Sequence, residues 1–200
     1  MKIATKLYLL VGLLLALSVS VGGMGLFGMK TAVGGLETVY NDRVVPLREL
    51  KDIADAYAVN IVDTTHKVRN NGMSPQEGLA SVEQAEKLIA ERWKAYLGAV
   101  LVDEEKKLAA EIEPRMKVAD LTVAKLKTLL RESKQDEIAT FAAQELYASI
   151  DPVSESFSRL VTVQLDIAKR EYEQEAAAYA GIRNTAIALI LIGLLAGFGV

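Results

Sequence analysis

Two uncharged apolar runs, one at each end, constrain this 200-residue chain more than anything between them. Leu7 to Met29, LYLLVGLLLALSVSVGGMGLFGM, holds no charge and has Lys2, Lys6 and Lys30 around it. As a helix it extends roughly 35 Å, enough to cross about 30 Å of hydrocarbon with some tilt. Ala186 to Val200, AIALILIGLLAGFGV, is equally free of charge. Even with Asn184 and Thr185 added, it is a little short of the about 20 residues a spanning helix uses. The expectation is a first transmembrane helix over 7–29 and a truncated second one over 184–200, with further chain after Val200. Ser18-Val-Ser20 fits a small-x-small cleavage site, but the run is too long for an ordinary signal-peptide core, which favours an uncleaved anchor.

Residues 31–183 carry 20 Lys and Arg against 26 Asp and Glu, a net of −6, and are water-soluble by composition. Lys2 and Lys6 favour a cytoplasmic tail over 1–6, and a loop this long crosses regardless of its own charge, so the middle faces outward. With no cysteine in the chain, disulfide staples and thiolate metal sites are excluded. The segment must hold itself by burial, as one domain. Its acidic balance disfavours nucleic acid as a partner.

Periodicity sets the fold class. Ala109, Ile112, Met116, Ala119, Val123, Leu126 and Leu130 are apolar at alternating steps of three and four, the seam of a bundle helix. Three further stripes run Leu47-Leu50-Ala54-Tyr57-Ile61-Thr64-Val68, Leu79-Val82-Ile89-Trp93-Tyr96-Val100 and Leu146-Val153-Leu160-Ile167. Asp63 to Lys67, Glu83 to Lys87, Asp103 to Lys107, Glu113 to Lys117 and Asp166 to Arg170 each place acid four residues before base, as helix surfaces do. The breaks are brief. Asn70-Asn-Gly-Met ends the first helix, Ser74-Pro75-Gln-Glu77 starts the second with a capping-box pattern, Asp103 is the N-cap candidate for the third, and residues 131–136 precede the fourth. Pro46, Pro114 and Pro152 fall inside the expected helices and should bend them.

Short connections force antiparallel neighbours, so the chain is expected to be all-α. It reads as an up-down-up-down four-helix bundle over 31–183, flanked by two transmembrane helices. The outer two helices, about 40 and 48 residues, run on into the apolar segments and would reach roughly 90 Å or more each. A ligand bound far out could then shift one long helix against the other by about 1 to 2 Å.

Motifs for other functions fail in context. Gly23-Met-Gly25-Leu-Phe-Gly28 spells the dinucleotide fingerprint, but no strand precedes it and it lies in the apolar run. Gly193-Leu-Leu-Ala-Gly197 fits a small-xxx-small helix contact. P-loop, nucleophile elbow, catalytic cysteine and paired-histidine signatures are absent, so neither an enzyme nor a cofactor or metal site is expected. His66, the one histidine, lacks a His or Cys three or four residues away and reads as a surface residue. Trp93 and Tyr96 read as buried aromatic anchors rather than pocket walls.

The stretches Val39-Tyr40-Asn41-Asp42-Arg43-Val44-Val45-Pro46-Leu47 and Tyr57-Ala-Val-Asn60-Ile-Val-Asp63-Thr-Thr-His66-Lys67-Val-Arg69-Asn70 are particular to one kind of sensor. With Trp93-x-x-Tyr96 and Leu146-Tyr147-x-x-Ile150-Asp151-Pro152 they resemble the N-terminal half of a bacterial methyl-accepting chemotaxis receptor, over essentially the whole chain. The resemblance implies a homodimer in the inner membrane lipid bilayer, with 31–183 periplasmic as the ligand-binding domain. It also implies control of a cytoplasmic kinase and its adaptor through a HAMP linker outside these 200 residues. Sensor histidine kinases and diguanylate cyclases share the architecture and stand as the alternative. The family places its ligand in the outer half of the bundle, where the first helix nears the start of the fourth. Here that region offers Asn60, Thr64, Lys67, Arg69, Thr140, Gln144 and Tyr147. Lys67 and Arg69 beside Thr64 point to a small organic or aromatic acid, since a carboxylate needs cationic and hydroxyl donors.

Overall fold

The computed structural model describes residues 3–198. Seven α-helices follow one another: α1 (Ile3–Val39), α2 (Val45–Asp55), α3 (Thr64–Arg69), α4 (Pro75–Leu97), α5 (Asp103–Arg131), α6 (Gln135–Phe141) and α7 (Tyr147–Phe198). Three π-helical segments, Tyr40–Val44, Ala56–Asp63 and Ala142–Leu146, link α1 to α2, α2 to α3 and α6 to α7. Helical backbone therefore runs unbroken over Ile3–Arg69 and again from Gln135 to Phe198. Among the described residues there is no strand. The chain forms two compact units, one of residues up to Tyr40 together with those from Ala168, the other Asn41–Ile167.

The unit Asn41–Ile167 is an all-α four-helix bundle, with α2, α3 and their π segment as one helix, α4 and α5 as the next two, and α6 with α7 as the last. All seven residues of the α5 stripe and all four of the last helix are buried. In the first helix Leu50, Tyr57, Ile61, Thr64 and Val68 are buried together with Ile53 and Ala56, while Leu47 and Ala54 are half-buried. Val100 corrects the expected second stripe. The helix ends at Leu97, where Gly98 forms the C-cap, and Val100 stands 66% exposed in the turn beyond. Glycine is the weakest helix former after proline, which is enough to stop the stripe there.

Capping explains the breaks. Ser74 Oγ accepts the Glu77 N–H (3.2 Å) and Glu77 Oε2 accepts the Ser74 N–H (3.0 Å), a complete capping box with Pro75 at the first helical position. At the second break the N-cap is Val102, not Asp103. Its side chain cannot accept a bond, and Glu105 Oε2 takes the Val102 N–H at 2.8 Å as half of the same device. Asn71, at φ 57°, and Gly72, whose N–H donates to Lys67 O at 2.8 Å, close the outer turn after α3. Helical backbone continues through Pro46, Pro114 and Pro152, and Pro46 is the second residue of α2, in the first turn after the first π segment. Ser156 Oγ and Arg115 Nη1 donate to Pro152 O at 2.6 and 3.3 Å.

Of the expected surface pairs, Asp63 and Lys67 meet at 2.7 Å. Glu83 instead reaches Arg131 on α5, and Asp103 reaches Lys106. Helices α3 and α4 approach closely at Gly78, where an added Cβ would lie 2.6 Å from Val68 Cγ2.

In the other unit, α1 and the C-terminal part of α7 run antiparallel. A Cβ on Gly193 would meet Leu17 Cδ1 at 3.1 Å, Gly28 faces Ile182, and Gly35 faces Glu175, a constant register along the pair. Gly193 thus serves close contact between helices, while the Gly197 side of the small-xxx-small pattern lies outside the described side chains. Gly23, Gly25 and Gly28 sit inside α1, a helix with no strand before it. No residue of α1 is buried, and Leu9, Leu15, Leu26 and Phe27 are each more than 60% exposed. Apolar surface on that scale calls for lipid or a protein partner. Both long helices are long and apolar enough to cross a membrane.

Candidate functional site

The expected binding residues sit at the outer end of the bundle, built by the second π segment, α3, α6, the third π segment and the start of α7. Thr64 is 3% exposed, and its hydroxyl is spent inside the bundle, 3.2 Å from Ser81 Oγ on α4 and 3.4 Å from Val59 O. Ser81 also donates to Asn60 O at 3.4 Å, so Asn60 and Thr64 both serve the contact with α4. Lys67 lies on the surface with Asp63, and Arg69 Nε donates to Asn70 Oδ1 at 3.2 Å. The last carbonyls of α3, Val68 O and Arg69 O, receive Gln135 Nε2 at 2.7 and 2.8 Å, which ties the start of α6 to the end of the first helix.

Thr140 turns toward α5. It lines a groove of about 280 Å³ with Lys125, Asp136, Glu137, Phe141 and Glu145, and Lys125 pairs with Glu145 at 2.6 Å. Gln144 is exposed. Tyr147, 44% exposed, reaches the first helix, with its hydroxyl 2.8 Å from His66 Nε2 and the two rings 5.7 Å apart at 33°. Nδ1 of His66 is buried with no hydrogen-bond partner.

The structure therefore joins Tyr147 to the first helix through His66, directs the Thr64 hydroxyl and the Asn60 carbonyl to α4, and leaves Thr140, whose hydroxyl donates to Asp136 O, lining the groove beside α5. His66, which the sequence reads as a surface residue, is the partner that the structure gives Tyr147. Its sequence distance from Tyr147 hides the pairing, and the available signal was only their similar height in the bundle.

Below this region the interior closes. Trp93 and Tyr96 are buried and stacked at 5.5 Å and 13°, Phe157 meets Trp93 edge-on at 5.5 Å, and Tyr57 lies 6.2 Å from Phe157. These rings are core anchors. Burial pushes the Tyr57 hydroxyl pKa up, with nearby Asp120 adding to the rise. Burial raises that of Tyr96 as well, assisted by Glu105, so both hydroxyls stay neutral, and that of Tyr96 donates to Glu105. Among the described residues no cluster of three or more His, Asp or Glu could hold a metal ion.

Comparison with known proteins agrees with this architecture. Residues 1–179 match the family described as a four helix bundle sensory module for signal transduction. The methyl-accepting chemotaxis protein NahY of Pseudomonas putida is 37% identical over 198 residues, covering 99% of this chain and 37% of that protein. The chain thus spans little more than a third of the length of that relative. No solved structure matches it. A buried apolar bundle, two helices fit to span a membrane and a family match over most of the sequence lead to one assignment: the chain belongs to the four-helix-bundle sensory modules for signal transduction, of the methyl-accepting chemotaxis receptor type.

Proposed function

We propose that this chain is the sensing part of an inner-membrane chemoreceptor, with 31–183 in the periplasm and residues 1–6 in the cytoplasm. It binds a small carboxylic acid at the outer end of the bundle, as one half of a homodimer. Binding shifts the last helix against the first by about 1 to 2 Å, and the shift is relayed to a cytoplasmic module. The observation that carries the reading is the unbroken helical backbone of Ile3–Arg69 and of the chain from Gln135, each holding both a bundle helix and a membrane-compatible helix.

The proposed contacts are Lys67, Arg69, Gln144 and Tyr147, with Asn60, Thr64 and Thr140 shaping the site and His66 added as the hydrogen-bond partner that holds Tyr147. A carboxylate suits them because ionised partners make the stronger hydrogen bonds. The test is isothermal titration of the chain in lipid nanodiscs against a panel of aliphatic and aromatic acids. An acid should bind to wild type and bind at least about tenfold more weakly to Arg69→Ala and to Tyr147→Phe. Silence across the panel discards the carboxylate reading. Cysteine labelling of exposed positions in intact cells tests the topology.

A further inference from the structure

The turns that join the bundle helices differ in kind. Asn70–Ser74 and Glu132–Lys134 lie together at the outer end, where Gln135 Nε2 donates to Val68 O and Arg69 O, and they read Asn-Asn-Gly-Met-Ser and Glu-Ser-Lys. Gly98–Val102, at the opposite end, reads Gly-Ala-Val-Leu-Val and closes a run without charge that begins at Ala95. Val100 is 66% exposed and Leu97 40%, while Leu101 is partly buried against the core. Turns that meet water favour Gly, Asn, Asp and Ser, as the outer ones do, and an exposed turn of valine and leucine departs from that rule. Single apolar residues at a surface are ordinary, but an uninterrupted exposed run marks a contact.

Glu105, buried in the first turn of α5, fixes which end this is. Its Oε2 accepts the Val102 N–H at 2.8 Å and faces Arg43 Nη1 at 3.5 Å, and its Oε1 accepts the Tyr96 hydroxyl at 3.2 Å. The apolar turn is therefore beside Arg43, where the first helix enters the bundle, and the antiparallel α7 leaves at the same end. Beyond that end the chain continues as α1 and the C-terminal part of α7, the helices long and apolar enough to cross a membrane. The backbone of the turn suits a medium poorer in water, because Gly98 N–H donates to Lys94 O and Ala99 N–H to Tyr96 O, both at 3.1 Å, and Val102 N–H is held by Glu105. Lys94 and Lys107 stand exposed on either side of it, and Asp103, the nearest acid, pairs with Lys106.

We propose that Leu97–Val102 is a membrane-contact turn, seated in the headgroup layer of a phospholipid surface. Leu97 and Val100 enter that layer, Leu101 ties them to the core, and Lys94 and Lys107 lay their stems along it with their ammonium groups on lipid phosphates. Lipid is the occupant because the apolar run is confined to the turn at the end that leads into the membrane-compatible helices, and the outer turns have nothing like it. The proposal rests on the reading of the chain as a membrane sensor and adds an attachment to the bilayer through α4 and α5. That attachment gives the last helix a fixed reference against which to shift.

The chain has no cysteine, so Val100→Cys, Glu132→Cys in an outer turn and Phe27→Cys in α1 can each carry a single bimane label, in the full chain in nanodiscs with no ligand added. All three positions are exposed, and emission of the buried Trp93 confirms that each variant is folded. Lipids bearing a nitroxide on the headgroup or high on the acyl chain should quench the label at position 100 several-fold more than the label at position 132, and its emission should lie to the blue of the latter. Equal quenching at 100 and 132, with strong quenching at 27, overturns the membrane-contact turn and leaves the membrane reading intact. Absence of quenching at all three overturns both. A label at 100 that is shielded from lipid and from aqueous iodide alike, in a Val100→Cys variant that cross-links between copies, also overturns it, because a second copy then covers the turn. Since no acid is present, a silent acid panel leaves this proposal standing.

Discussion

Replacing Glu105 with alanine removes three contacts at once from a group that is fully buried. Arg43, 3% exposed, loses its carboxylate, the Tyr96 hydroxyl loses its acceptor, and the Val102 N–H loses the cap that starts α5. Breaking a buried ion pair from one side costs about 3–5 kcal/mol, and a lost cap typically about 1 kcal/mol. The two overlap on one side chain, so about 4 kcal/mol is expected in total. For a unit of the size of Asn41–Ile167, 1 kcal/mol corresponds to roughly 3–5 °C, and the melting temperature should fall by about 12–20 °C.

Trp93 reports the transition, being 8% exposed in the native bundle, so its emission follows thermal or urea unfolding of the chain in nanodiscs. The decisive comparison is the double replacement Arg43→Met with Glu105→Leu. If the penalty is mainly a stranded charge, the double variant should recover more than half of the loss. A single Glu105→Ala penalty under about 1 kcal/mol, or a double variant as unstable as the single one, would refute the account of Glu105 as a buried hub.

Gly78→Ala tests close packing, because the new Cβ would sit 2.6 Å from Val68 Cγ2 and 3.4 Å from Leu130 Cδ2. Alanine favours helix over glycine by about 1 kcal/mol, but Val68 is buried and β-branched, and overpacking costs about 1–3 kcal/mol. Urea unfolding should show a net loss, and a gain would mean that α3 and α4 separate easily. Asp120→Asn tests the second effect. The Asp120 pKa is raised first by partial screening from water and then by Glu86, so its stabilising contribution is present below the ordinary carboxylate value and is lost as pH rises through the raised one. The variant should therefore melt higher than wild type at pH 7, by less than about 1 kcal/mol, with the difference vanishing near pH 3. A gap that widens in acid contradicts this.

Periodicity made the bundle legible wherever spacing and burial obey one rule. From Ala109 to Leu130 every residue of the stripe is inside, because an amphipathic helix needs only that spacing to find its buried face. The same rule overran at Val100, where Gly98 ends the helix and apolar character alone cannot say so. Ser74 and Glu77 announce their cap, whereas Val102 hides one, since Glu105 supplies its half of the box without the hydroxyl partner that would mark it. The π segments left no trace in the sequence, because a change from i+4 to i+5 bonding moves the backbone without altering which residue types are apolar.

At the candidate site, residue types were readable and their directions were not. Thr64 was noticed as a polar residue on an apolar stripe, and the structure assigns its hydroxyl to Ser81 rather than to the outer surface. The same signal, polar residues in phase with a core stripe, was present and unread at three other positions. Arg43 lies seven residues before Leu50, Glu105 seven before Ile112, and Gln164 seven after Phe157, and all three are buried. Composition rules place such residues outside, so phase and type conflict, and the conflict itself marks the place to look.

These in-phase polar residues divide the bundle along its length, and the division bears on how a sensor of this kind works. Between Ile53 and Val68 the first helix faces rings and aliphatic chains that fill the interior, where close packing leaves no room for a ligand and resists gradual deformation. The proposed recognition accordingly uses surface groups such as His66, Tyr147, Lys67 and Arg69. Motion has to be accommodated elsewhere, and polar contacts can exchange partners over a shift of about 1 to 2 Å with little net cost, as interdigitated apolar chains cannot. Arg43, Glu105 and Tyr96 place buried polar contacts of that kind at the end where the chain leaves the bundle.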